Sequence, residues 1–322
     1  MVALDVNDLR RLLTDPWAAE DRGLSPGVDE ALRALAQVAY EDGSAEARHS
    51  AEHLLYSINT ANCFAPPLQA NAALAWVTLM RAKLAALRRV FGGCAPINNA
   101  ELRSRLHGAI ATWGAYQHPL IAQLRDLDLH AYRIWAKNWF GSCVGFSAQL
   151  AALVQRTSGS AKKIVLENLA DEFDDKVTHD VLRTRFYESL GLRFDAMAAP
   201  DDRNRVPEAT ELLNARTGLS YLRDPIWAFG CFYGVEANWP PECRLHLAIN
   251  RARGADEHAL EYWTSHAEAD DHHAAEWLVA LEDMCKTDED RAAAIDGAMI
   301  QLRLRWQMYD AIAQRIATAP KG

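Results

Sequence analysis

The sequence predicts an all-α protein. Apolar residues recur with a helical period in almost every segment, and no sustained strand-type alternation occurs. Ala, Leu, Arg and Glu, all good helix formers, are plentiful. Pro66 and Pro67 mark a helix start, and the helix runs to about Phe91, where Gly92, Gly93 and Pro96 stop it. A second helix spans about Asn99 to Tyr116. After a break at Gln117, His118 and Pro119, one long helix is expected to about Arg156. Ser158, Gly159 and Ser160 form a linker, with Ser160 as N-cap of the next helix. That helix carries IVLENLADEFDDKVTHDVLRTRFYESLG and stops at Gly191. The loop AAPDDRNRVPE follows. The segment Asp224 to Asn238 is helical, and Trp239, Pro240 and Pro241 end or kink it. Gly254 ends a further helix, and the last runs from about Glu289 to Ala317. No internal repeat is present. The division expected is an N-terminal helical extension, 1–115, and a C-terminal helical core, 116–322.

Composition narrows the function. The chain has 322 residues, half of them apolar, and a net charge of −9. That balance argues against a nucleic-acid partner, whose binders concentrate Lys and Arg. The six cysteines, Cys63, Cys94, Cys143, Cys231, Cys243 and Cys285, form no C-x-x-C pair and suit buried, reduced thiols. The N-terminus lacks a signal-peptide layout, and the most apolar run, Ala70 to Leu87, is interrupted by Arg81 and Lys83. A soluble, cytoplasmic protein with no membrane partner is expected.

The chemistry lies in the run SHAEADDHHAAEW. His266, Asp270 and His273 are spaced i, i+4, i+7 and share one face of a helix. Two imidazoles and a carboxylate are half of a site for a divalent ion such as Fe(II) or Mn(II). Alone, such a triplet is more often a solvated face. Glu172 and His179, seven residues apart, would share a face of an earlier helix. Glu236 follows Phe232 and Tyr233 on an apolar helix, where a buried carboxylate requires a partner, either a metal or an Arg. The six together supply three carboxylates and three imidazoles, enough for two ions with open positions. A ferritin-like arrangement requires two Glu-x-x-His motifs, and only Glu46-x2-His49 fits.

These blocks carry a resemblance. From Gln117 onward the chain resembles the haem-oxygenase-like di-metal oxidases: ENLADEF and a following His, LRTRFYESLGL, YGVEANWP, then His-x3-Asp-x2-His. The resemblance implies a haem-oxygenase-like helical bundle. It also implies Glu172, His179, Glu236, His266, Asp270 and His273 as ligands of two Fe(II) ions per chain, acting in catalysis through the metals. A mixed Mn–Fe pair is the alternative loading. Where family members often carry Gly soon after the first Glu, this chain has Phe173, Asp174 and Asp175. The resemblance further implies O2 as co-substrate, a small-molecule substrate, an external electron donor and a homodimer. Relatives are associated with N-oxygenation of amino acids, their oxidative C–C cleavage, and fatty-acid decarboxylation. The long N-terminal extension resembles the layout of the N-oxygenating members, so an amino acid or amine is the expected substrate. A fatty-acid decarboxylase and a non-catalytic iron-binding protein are the alternatives.

Other residues read more plainly. Asp175 is expected beside the site rather than in it, and Asp271 and His272 point away from it. Glu46, His49 and His53 form an exposed polar face, and His246 and His258 are structural. The aromatic set Trp227, Phe229, Phe232, Tyr233, Trp239, Trp263 and Trp277 is mainly core. Arg303 and Arg305 are candidate carboxylate anchors, and at least one of them is expected to be ordinary surface charge, since residues at i and i+2 do not share a face. Without its ions, the acidic run around His266 to His273 is expected to be labile and to become ordered and helical when Fe(II) binds.

Overall fold

The computed structural model describes residues 26–64, 70–173, 177–193, 205–222 and 224–319, without the side chains of 26, 60–64, 70–71 and 268–271. Pro66, Pro67, Asp174, Asp175 and most of the AAPDDRNRVPE loop lie outside them, as do the side chains of Cys63, Asp270 and Asp271. The described residues contain helices and no strand. None of the described helices is long and apolar enough to cross a membrane.

The N-terminal part holds α1 (Pro26–Ala36), a π-helical turn (Gln37–Glu41), α2 (Ala45–Phe64) and α3 (Ala70–Phe91). It has its own small core, including Leu32, Leu54, Leu55, Ile58, Ala75 and Leu79. Its link to the rest is polar and buried. Lys83 donates to Glu52 Oε1 at 2.5 Å and to the Glu211 carbonyl at 3.1 Å. Asn214 donates to Glu52 Oε2 at 2.9 Å and Asn59 to Asn214 at 2.7 Å, so each charge removed from water regains a partner.

The larger core gathers α4 (Asn99–Trp113), α5 (Pro119–Gln123), α6 (Leu129–Cys143), α7 (Phe146–Val154) and α8 (Gly159–Asp171). With them pack α9 (His179–Ser189), α10 (Pro207–Ser220), α11 (Ile226–Glu236), α12 (Trp239–Ala252), α13 (Glu261–Met284) and α14 (Asp288–Thr318). Trp135, Trp139, Trp263 and Trp277 are fully buried at its centre. The α13 backbone is helical through the whole His266–His273 stretch.

Helices α11 and α14 pack closest because two glycines meet the opposing backbone. A Cβ on Gly230 would lie 1.9 Å from the Ala294 carbonyl oxygen, and one on Gly297 would lie 2.1 Å from that of Trp227. Neither obstacle is a flexible side chain. Gly230→Ala should therefore push the helices apart and destabilise by about 1–3 kcal/mol or more. Urea unfolding would check this; an unchanged midpoint would show that the contact is looser than described.

Several expected elements differ. The long helix to Arg156 is α5, a 3-10 turn, α6 and α7. Asp128 caps α6 by accepting from the Ala131 N–H at 2.8 Å, and Gly145 turns the chain at φ 73° before α7. The helix expected through ENLADEF and LRTRFYESLG is likewise two. Glu172 is the C-cap of α8 and His179 opens α9. Ser158, not Ser160, is the N-cap of α8, while the Ser160 hydroxyl binds Asp283 at 3.0 Å. The Trp239-Pro240-Pro241 run opens α12, since Pro at the first turn forfeits no helical hydrogen bond. Helix α10 has no counterpart in the sequence reading: it is buried on nearly all sides and carries no amphipathic stripe.

Candidate metal centre

The break between α8 and α9 shapes the site. Glu172 and His179 do not share a helical face: α8 ends at Glu172 and α9 begins at His179, whose N–H donates to the Glu172 carbonyl at 3.3 Å. His179 Nδ1 lies 3.2 Å from Glu172 Oε1. His266 enters from α13, its ring centroid 4.4 Å from that of His179. One donor atom from each of Glu172, His179 and His266 lies within 4.8 Å of the others. That is the spacing of ligands around one divalent ion.

A second group adjoins the first. Glu236, at the C-terminal end of α11, has its Oε2 3.6 Å from His273 Nδ1. His273 Nε2 lies 2.7 Å from Asp171 Oδ2. All six side chains, Asp171, Glu172, His179, Glu236, His266 and His273, line one cavity of about 40 Å³. That is room for roughly three ions or waters. Of the expected ligands, the structure thus brings five together. The sixth, Asp270, has its side chain outside the described residues.

Electrostatics suit metal binding. Burial, reinforced by His179, pushes the His266 imidazole down to about 3. It is neutral at physiological pH, the form that ligates metal. The Tyr262 carbonyl lies 2.7 Å from its Nδ1, fixing the tautomer with Nδ1 protonated and Nε2 left as the donor. Burial raises the Glu172 carboxyl, but its bond to His179 and the charges of His179, His266 and Arg183 outweigh this and leave it lowered, hence ionised. Carboxylate and imidazole donors without a thiolate fit iron. The buried Oδ1 of Asn168, in the same cavity, has no hydrogen-bond partner among the described residues.

The sequence reading missed Asp171, Asn168, Tyr262, Arg183 and Arg216, all of which line the cavity. Two had a sequence signal: Tyr262 precedes His266 by one helical turn, and Asn168 precedes Glu172 by one turn. The structure separates the two candidate anchors of the last helix. Arg303 stacks on Trp113 at 3.9 Å and does not line the cavity. Arg305 does line it, but donates to Glu242 at 2.9 Å. Of the remaining histidines, His246 is buried against Glu242 at 3.4 Å, and His272 is exposed and pairs with Glu276.

This helical scaffold with an iron-type donor set defines a haem-oxygenase-like redox protein. The chain belongs to the family of iron-containing redox enzymes, whose sequence model matches residues 133–306. It is 27% identical over 177 residues to a 4-aminobenzoate synthase of Chlamydia trachomatis serovar D, covering 52% of this chain and 72% of that one. Two solved structures share the fold. One is a domain of unknown function with a heme oxygenase-like fold from Shewanella denitrificans (TM-score 0.55, 17% identity, 68% of this chain and 94% of that one). The other is a TenA homolog from Pseudomonas syringae pv. tomato (TM-score 0.56, 14% identity, 69% of this chain and 98% of that one).

Proposed function

We propose that the chain is an O2-dependent, non-haem di-iron oxidoreductase that oxidises an amino acid or amine, by N-oxygenation or oxidative C–C cleavage. The observation that carries this reading is the pair of adjoining donor groups in one cavity: Glu172, His179 and His266 beside Asp171, Glu236 and His273. The resemblance to a 4-aminobenzoate synthase supports a small-molecule substrate. Glu172, His179, Glu236, His266, Asp270 and His273 would hold two Fe(II) ions, which supply electrons to O2. The chain's own groups do the rest. Tyr262 orients His266 through its carbonyl. Phe146, Val235 and Trp239 give the cavity an apolar wall that limits water.

The test is anaerobic loading followed by O2. Metal analysis should give close to two irons per chain, and O2 uptake should rise when an L-amino acid or its amine is added. Iron bound without O2 consumption would indicate an iron-holding protein instead. O2 uptake that responds only to dodecanoate would indicate a fatty-acid oxidase. No retained iron would refute the di-iron assignment.

A further inference from the structure

We infer that the substrate carries a carboxylate and that the guanidinium of Arg216 anchors it in the metal cavity. The inference rests on the proposed function and names the substrate class within it.

Three arginines line the cavity, Arg183, Arg216 and Arg305, and each is 5% exposed or less. Two have a carboxylate of their own. Arg183 pairs with Asp180, and Arg305 with the buried Glu242. Arg216 has none among the described residues. Its Nε donates to Gln149 Oε1 at 2.7 Å, its Nη2 donates to the Ser142 carbonyl, and Phe146 lies 5.5 Å from its Cζ. Its Nη1 has no acceptor among the described residues. Arg305 and Arg183 both act on it as like charges.

The plain reading is that Arg216 caps the end of α6. Ser142 and Cys143 are its last residues, and Arg183 also donates to the Cys143 carbonyl at 2.8 Å. A helix terminus carries about half a negative charge. Two guanidinium groups exceed that even after Asp180 is counted. Glu172 and Glu236, in the same cavity, are engaged with His179 and His273 and belong to the metal donor set. A guanidinium stays protonated even when buried, so about half of one positive charge remains without a counter-ion among the described residues. Burying such a charge is costly unless a partner arrives. Its neutral partners also lock the fork in place, so a ligand pays little to order it. An excess of no more than one charge and one free edge match a carboxylate better than a dianionic phosphate.

The test is anaerobic calorimetry on the Fe(II)-loaded and the metal-free protein. The probes are acetate, L-lysine, L-tyrosine and dodecanoate, with cadaverine, tyramine, dodecylamine and inorganic phosphate as counterparts. At least one carboxylate should bind, roughly ten- to a hundred-fold more tightly than its amine counterpart, the usual range for a charged hydrogen bond. R216M should lose that margin with iron content unchanged. R216K, which keeps the charge and loses the fork, should fall between, and it serves alone if R216M does not fold. The proposal is overturned if no carboxylate binds, if phosphate binds more tightly than every carboxylate, or if either folded variant retains wild-type affinity. Iron content is read on the same samples. Loss of iron binding therefore counts against the di-iron reading, while carboxylate binding by the metal-free protein still decides the role of Arg216.

Discussion

Replacing His266 with Ala should lower bound iron from about two per chain to one or fewer. His266 is the donor with the least alternative: it is buried, neutral, and held with Nε2 toward Glu172 and His179 by the Tyr262 carbonyl. Alanine removes one of the three imidazoles that line the cavity, leaving His179 and His273. Groups that merely orient a ligand are worth roughly ten- to a hundred-fold in metal affinity, so removing the ligand itself should cost at least about a hundred-fold. Metal analysis after anaerobic loading and desalting would show the loss. His272→Ala is the control, because His272 is exposed and pairs with Glu276. In the same preparations, Fe(II) should protect the amides of residues 266–273 from exchange in the wild type, and less so in His266→Ala. Full iron occupancy in His266→Ala would remove this residue from the ligand set.

Glu242→Ala should be among the most destabilising single changes in the molecule. Glu242 is fully buried on α12, and its Oε1 accepts from Arg305 at 2.9 Å and from the Tyr309 hydroxyl. Its Oε2 accepts from Asn238 at 2.8 Å, and Asn238 in turn accepts from the Ala115 N–H at 2.6 Å. Removing the carboxylate strands a buried guanidinium, which costs about 3–5 kcal/mol. That is a large share of a typical domain's total stability. Burial alone would raise the Glu242 carboxyl, but Arg305, His246 and Tyr309 overcome it and hold it down at about 2. Its folded value is thus below its unfolded one. Its contribution is complete above about pH 4.5 and declines as the pH falls toward about 2. Urea midpoints between pH 2.5 and 7 should converge for wild type and Glu242→Gln at the acid end. A constant gap across that range would assign the stability to something other than this ionisation.

Much of the site was legible in the sequence, and the reason is local. His266 and His273 lie on one helix, where spacing alone sets which side chains share a face, and both line the cavity. Glu236 was legible from cost: a carboxylate at the end of the apolar run IWAFGCFYGVE requires a partner, and the structure gives it His273. Glu172 and His179 were rightly paired for the wrong reason. They meet where one helix ends and the next begins, not along a single helix, and such a meeting has no period to read.

Arg216 and Asp171 were not legible. Helix α10 is buried around its circumference, so it has no polar stripe, and Arg216 looks in the sequence like any helical cation. Arg305 shows the converse. It looked like a free anchor, but the fold places it on Glu242, sixty-three residues away in the chain. Which charge keeps a counter-ion depends on contacts between helices distant in sequence.

The sequence by itself determined the all-α class, the C-terminal ends of α3 and α12, and the placing of Glu236, His266 and His273 in one cavity. All of these follow from local periodicity, capping and desolvation cost. Only the tertiary structure decided where the helices break at Gly145 and after Glu172, that Arg305 meets Glu242, and that Asp171 meets His273. Those outcomes depend on which side chains meet in the packed interior, where burial makes an unpartnered charge costly and so sets the pairing.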